Sequence, residues 1–421
     1  MAARIVLTSW GSYGDLYPYL GLAIRLKALG HSPVLATCPY YRAIVEDAGI
    51  QFHPLHPDVD PSGTDLIRRV MDPARGSEVV IREILVPALR EACRDLADAI
   101  RGADLVVAHP VTFAAPIVAE EQHVPWLSTV LAPLSFFSVS DFPALSPVPQ
   151  LGHFTRLGTW PGGLAKRIVR AMTREWTAPI RAFRAERGLP PSGDAIYEGQ
   201  FSPWGTLALF SRVLAEPQPD WPVHTHLTGF VPYNGPAGDL PDDLRVFLDS
   251  GEPPIVFTLG SSAVGAAGSF YDESARATEE LGRRAVLLVG RHSHNRPSRP
   301  LSKNLMVVEY APHETLFPRA AAVVHHGGVG TTGQALRAGR PMLVVPFAHD
   351  QPDNACRVER LGSARVLYPK RYSSSRVARH LRALLDDPMY AVRAEAIGRI
   401  VRDERGADAA CEVMIETISH M

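Results

Sequence analysis

Ala322-Val323-Val324-His325-His326-Gly327-Gly328-Val329-Gly330-Thr331-Thr332-Gly333-Gln334-Ala335-Leu336 reads as a short buried strand, a glycine-rich turn and the first turn of a helix. A helix start presents unpaired backbone N–H groups and a partial positive charge, so it suits an anionic phosphate. The glycines let the backbone come close, and the Thr331 and Thr332 hydroxyls add donors. His325 and His326 stand at the strand end, where one ring can donate to a phosphate oxygen. A turn whose glycines only relieve crowding would look the same in isolation.

The residues that follow separate the two readings. Arg337-Ala338-Gly339-Arg340-Pro341 is a helix stop, and Met342-Leu343-Val344-Val345-Pro346 is another buried strand. Phe347-Ala348-His349-Asp350-Gln351 then lies at the carboxyl end of that strand, where open α/β sheets bind ligands. One β-α-β unit thus predicts a phosphate cradle and an Asp350–Gln351 pair on the same rim. A carboxylate beside an amide offers the acceptors and donors that sugar hydroxyls need.

The run from Tyr310 to Gln351 resembles the nucleotide-sugar signature of glycosyltransferase family 1, inverting enzymes of the GT-B fold. It is most similar to the bacterial branch of rhamnolipid rhamnosyltransferases and antibiotic glycosyltransferases, with sterol glucosyltransferases nearby. The resemblance implies an α/β protein of two Rossmann-like domains with parallel sheets facing across a cleft. It implies donor contacts from Ser12, Gly14, Ser261, Tyr310, Ala311, His313, His326, Gly328, Gly330, Thr331, Gln334, Asp350 and Gln351. Tyr310 stands where the family places a tryptophan or smaller apolar residue against the nucleobase, and His313 stands where it places a glutamine. Gln334 replaces the glutamate that accepts from both ribose hydroxyls in plant members. An amide holds ribose less strongly than a bidentate carboxylate, which opens a dTDP-sugar beside the favoured UDP-glucose.

Before this signature the chain alternates strand and helix, the pattern of a parallel sheet with helices on both faces. Arg4 to Trp10 is the first strand, and Gly11-Ser12-Tyr13-Gly14-Asp15-Leu16-Tyr17-Pro18 is the loop at its carboxyl edge, before a helix with Leu20, Ala23, Ile24 and Leu26. From its position alone Asp15 reads either as an N-cap acid opening the following helix or as a functional acid. By resemblance it also occupies the general-base position, which many plant members fill with histidine and many bacterial members with aspartate. His109, in Ala103-Asp104-Leu105-Val106-Val107-Ala108-His109-Pro110, falls near the plant aspartate that orients the base, so the two residue types are exchanged. An Asp15–His109 contact would steady the carboxylate; a solvent-facing loop histidine is the alternative.

Residues 126–204 carry most of the aromatic and proline content of the first half, including Phe136, Phe137, Phe142, Pro147, Phe154 and Trp160. Ser135 to Gly163 lacks periodicity and reads as long loops, which are usually functional or mobile. By resemblance this region as a whole lines the acceptor cleft, with Phe136, Phe137, Phe142 and Trp160 as candidates for an apolar acceptor; taken singly, each reads first as core of the helical layer. The domain limits expected are 1–231, a linker at 232–252 around Pro232 to Pro241, 253–400, and a last helix, 401–421, returning to the first domain.

Composition narrows the partners. Lys plus Arg is 43 against 44 for Asp plus Glu, so no basic field argues for nucleic acid. Four scattered cysteines, Cys38, Cys93, Cys356 and Cys411, lack metal-ligand spacing and read as reduced thiols. Neither a signal peptide nor an apolar run of ~18 residues is recognisable, so a cytoplasmic protein without an integral membrane segment is expected. The Asp-X-Asp match Asp58-Val59-Asp60 lies away from the donor motif, so neither metal nor cofactor is expected beyond the co-substrate.

Three rival functions are weaker. A sugar-nucleotide epimerase of the same fold would need extra ionisable groups around the sugar and no acceptor cleft. A dinucleotide oxidoreductase would need a G-x-G-x-x-G turn and an acid after the second strand, where Thr37-Cys38-Pro39 stands. A non-catalytic partner protein would have no reason to keep Asp15, His326 and Asp350.

Overall fold

Seven parallel strands form the first sheet: β1 (Arg4–Thr8), β2 (Ser32–Thr37), β3 (Gln51–Pro54), β4 (Leu105–Ala108), β5 (Trp126–Val130), β6 (Thr206–Ala208) and β7 (Thr225–Leu227), in the order β3-β2-β1-β4-β5-β6-β7. The computed structural model describes residues 2–60, 63–146, 148–149, 158–233, 235, 239–298, 300 and 302–420. Pro147 and Phe154 of the aromatic run lie outside the described residues, as does part of the 232–252 segment. Ile5, Val6 and Leu7 of the central β1 are fully buried, the unbroken apolar run of a strand covered on both faces.

Helix α1 (Tyr13–Ala28) is capped at Ser12 and includes Pro18, so most of the 11–18 stretch read as a loop is helical. The Ser12 hydroxyl accepts the Gly14 N–H and the Asp15 carboxylate accepts the Ser12 N–H, a capping box that satisfies two orphan donors. Asp15 is therefore the third helical residue rather than the N-cap acid. Further on, the chain forms α2 (Thr64–Val70) and, after the aromatic region, α3 (Thr159–Thr173).

The second sheet has six parallel strands, β8 (Ile255–Thr258), β9 (Ala285–Leu288), β10 (Leu305–Val308), β11 (Ala322–His325), β12 (Met342–Val344) and β13 (Ala364–Val366), in the order β10-β9-β8-β11-β12-β13. Its central strands β8 and β11 lead into α4 (Gly260–Ala263) and α5 (Val329–Arg337), and β12 leads into α6 (Gln351–Arg360). The carboxyl ends of adjacent strands thereby carry Ser261, the glycine turn and Asp350 on one rim.

Two compact units result: residues 1–61, 74–233 and 404–421 in the first, and 62–73 and 234–403 in the second. The assignment of 62–73 differs from the continuous 1–231 domain read from sequence. The reason is the apolar stripe Ile67, Val70 and Met71 on α2, which packs with Phe257, Val264 and Phe270 of the second unit. A Cβ at Gly265 would come within 2.6 Å of Ile67 Cδ1, so the glycine permits this close seat. In the first unit, α7 (Gly406–Ser419) packs along α1, with Arg25 Nε 2.5 Å from Asp408 Oδ1. Among the described residues no helix is long and apolar enough to cross a membrane.

Candidate active site

In the first unit the carboxyl ends of β1 and β4 bring Asp15 and His109 together. His109 Nε2 lies 3.4 Å from Asp15 Oδ1, and the imidazole is buried, so the solvent-facing alternative fails. The Val111 N–H donates to His109 Nδ1 at 3.3 Å. That bond makes Nδ1 an acceptor, so the neutral ring carries its proton on Nε2 and points it at the carboxylate. The 3.4 Å separation is long for a hydrogen bond, a common state of catalytic pairs without substrate.

The other Asp15 oxygen, Oδ2, accepts the Ser12 N–H at 2.7 Å and the Ser12 hydroxyl at 3.0 Å. A Cβ at Gly11, where φ is +137°, would sit 2.3 Å from this oxygen, so only glycine leaves room for the carboxylate. Burial pushes the Asp15 carboxyl up, but His109 and Ser12 together outweigh it and hold the pKa below the usual value. Its side chain keeps 35% exposure, enough to meet a substrate.

In the second unit the quoted turn forms as read. Gly327 has φ +87° and Gly328 is the N-cap of α5. No side chain caps this helix, and a Cβ at Gly330 would meet nothing within 4 Å, so the helix start faces open space. His326 lies between two glycines: a Cβ at Gly260 would come 2.5 Å from its Cε1, and one at Gly328 would come 2.4 Å from its Nε2. Its Nε2 is 3.2 Å from the Ser262 hydroxyl, and its buried Nδ1 has no protein partner among the described residues. Burial, followed by the neighbouring His313, lowers the His326 pKa to about 3. The ring is a neutral hydrogen-bonding group, not a cation. His325 accepts the Gly327 N–H at Nδ1 (3.1 Å) and is likewise pushed down to about 3 by burial.

The remaining expected residues divide. Ser261 and Tyr310 are exposed, Thr331 and Gln334 half-buried, and Ala311 buried. His313 stacks on Phe317, with ring centroids 4.3 Å apart. Gln351 does not offer its carbonyl to a sugar: it is 2% exposed, and Oε1 accepts the Phe347 N–H at 2.8 Å and the Ala348 N–H at 3.2 Å. Those two donors would otherwise lack this partner, so the glutamine closes its own loop. Asp350 remains half-buried at the start of α6.

The acceptor assignment needs correction for three residues. Phe136, Phe137 and Phe142 are buried in the first unit, and Phe136 stacks on Trp221 at 4.1 Å. Large aromatic surfaces gain most when removed from water, and the core claims them. Only Trp160 of the four is exposed. Beside His109 instead lies a small recess bounded by Thr112, Phe113, Ile180, Arg184 and Gln200. Sequence reading missed this recess because its residues come from distant segments. It also missed Ser262, although the doubled serine after β8 was visible.

Comparison with known proteins places the chain in a family. Residues 5–137 match the glycosyltransferase family 28 N-terminal domain, and residues 283–419 match the erythromycin biosynthesis protein CIII-like C-terminal domain. The chain is 35% identical to O-mycaminosyltylonolide 6-deoxyallosyltransferase of Streptomyces fradiae, over 98% of this chain and 97% of that protein. The chain belongs to the GT-B glycosyltransferases. It is also 27% identical, over 97% of its length, to a sterol 3-beta-glucosyltransferase of Leptosphaeria maculans, of which it spans 28%. The solved structure of glycosyltransferase VinC in complex with dTDP superposes with a TM-score of 0.70 at 22% identity, covering 99% of this glycosyltransferase and all of VinC.

Proposed function

We propose that this glycosyltransferase moves a hexose from a nucleoside diphosphate sugar to an apolar small-molecule acceptor, with inversion and without a metal. The observation that carries the chemistry is the Asp15–His109 pair. Asp15 takes the proton of the acceptor hydroxyl, and the acceptor oxygen attacks the anomeric carbon opposite the nucleotide. The bond from that carbon to the diphosphate breaks, and the nucleotide leaves with the added negative charge. His109 keeps Asp15 oriented through its Nε2 proton.

The leaving charge is met by the N–H groups at the start of α5, the hydroxyls of Ser261, Ser262 and Thr331, and neutral His326. Fixed dipoles of this kind need no reorganisation during reaction. They supply what a bound cation would otherwise supply. Asp350 holds a sugar hydroxyl, and Tyr310 meets the nucleobase. The Gln334 replacement supports a dTDP-linked donor over UDP-glucose, and so does the dTDP bound in the VinC structure. Exposed Trp160 supports an apolar contact for the acceptor on the first unit.

Thermal protection tests the donor class. dTDP-glucose or UDP-glucose should raise the melting temperature and NAD should not. Protection by NAD alone would overturn the reading.

A further inference from the structure

Asn354 on α6 is fully buried, and its amide nitrogen reaches two acceptors at once. Nδ2 donates to the Gly327 carbonyl at 2.9 Å and to Asp350 Oδ2 at 2.7 Å. Both partners are oxygens that only accept, so the amide can face them in one orientation alone. Its own oxygen, Oδ1, is buried without a protein partner among the described residues. A fully buried amide that leaves its oxygen unpaired to aim both protons gives up the hydration of that oxygen, so the two bonds it does make must matter.

The two acceptors belong to different parts of the donor site. Gly327 is the left-handed residue that turns β11 into the phosphate cradle, and its N–H is held by His325. Asp350 follows His349, itself in the left-handed region at φ +56°, a costly conformation for a residue with a side chain. Gln351 clamps the loop on the other side of that strained residue.

We infer that Asn354 is a positioning residue: by bridging the Gly327 carbonyl and the Asp350 carboxylate, it sets the sugar-binding acid relative to the diphosphate-binding turn. This rests on the proposed contact between Asp350 and the donor sugar. Aspartate at 354 has the same shape but would set a carboxylate against a carbonyl and a second carboxylate. Alanine would remove both bonds.

The test compares how much the sugar adds to donor affinity. Dissociation constants for dTDP and dTDP-glucose, and for UDP and UDP-glucose, are measured by calorimetry without acceptor on wild type, Asn354→Asp, Asn354→Ala, Asp350→Asn and the Asn354→Ala/Asp350→Asn double variant. The pair that wild type binds more tightly is used. Melting curves confirm folding, and Asn354→Asp serves if the alanine variant does not fold. The expected result is that the ratio of nucleotide to nucleotide-sugar dissociation constants falls about tenfold or more in each single variant, the scale of a lost charged hydrogen bond. The double variant should lose no more than Asp350→Asn alone, because the two residues act as one unit.

A role confined to packing would lower stability and both affinities together, leaving the ratio at its wild-type value in the Asn354 variants while Asp350→Asn loses it. That result would overturn the inference and spare the Asp350 reading. A wild-type ratio in Asp350→Asn would overturn both, by removing the sugar contact itself.

Discussion

Asp15→Asn separates chemistry from architecture at the first-unit site. In the wild type, Oδ2 completes the capping box with Ser12 and Oδ1 faces the His109 Nε2 proton. Asparagine can keep its carbonyl on Ser12, since an amide serves the third position of a capping box. Its NH2 group must then face His109 Nε2–H, donor against donor, and the ring cannot exchange tautomers without losing the Val111 N–H bond. The structural loss is a charge–dipole contact at 3.4 Å, too long for a full hydrogen bond, so about 1 kcal/mol and a degree or two of melting temperature. The catalytic loss is a general base, ~10²–10⁴-fold in turnover. The assay is initial-rate transfer to an alkyl alcohol and to a phenol of low pKa, alongside melting curves and dTDP affinity. Transfer to the alcohol should collapse while donor affinity stays within about twofold, and the phenol should suffer less, because it arrives partly ionised. Wild-type rates on the alcohol would refute the assignment and leave Asp15 a capping residue.

Gly260→Ala places a Cβ against His326 at a left-handed backbone position. It should cost at least ~1–2 kcal/mol of stability and weaken dTDP binding, read by calorimetry; unchanged affinity would detach His326 from the phosphate site. His326→Ala should lower turnover ~10²-fold, the scale for removing one transition-state donor, in a folded protein. Gln334→Glu should shift preference from dTDP- toward UDP-sugars in competition assays, since a carboxylate accepts from both ribose hydroxyls. Stability should also fall on acidification. His325 and His326 are held neutral to about pH 3, whereas unfolded histidine binds a proton below about 6.5, so the unfolded state gains protons between those values and each ring removes about 1.4 kcal/mol per pH unit. Asp15 behaves oppositely in range: its lowered pKa contributes stability above the unfolded value of about 3.9, lost only as pH falls through the folded value. Urea melts from pH 7 to pH 4 would therefore report the histidines first.

The second-unit site was legible because its chemistry is local. A strand, three glycines and a helix start occupy consecutive residues, and Asp350 follows one strand later. The Asp15–His109 approach was also legible, since both stand just past the ends of neighbouring parallel strands. Burial was not. Phe136 looks like a cleft residue until Trp221, 85 positions away, stacks on it. Gln351 looks like a ligand offering both amide atoms to a sugar until its oxygen is seen closing the Phe347–Ala348 turn, which leaves the NH2 group alone for that role. Asn354 carried one usable signal, its spacing of four residues from Asp350 on a helix, which puts both on one face. The seating of α2 on the second unit depends on Gly265, which nothing near Ile67 in the sequence announces.

The most direct test of glycosyl transfer by this route is the anomeric configuration of the product. The protein is incubated in excess EDTA with α-linked dTDP-glucose and UDP-glucose and a panel of apolar alcohols and phenols, and products found by mass spectrometry are examined by proton NMR. The account predicts a β-glycoside, formed at the same rate with or without chelator. An α-glycoside, a reaction abolished by EDTA and restored by magnesium or manganese, or conversion of the donor to an epimer without transfer would each contradict it.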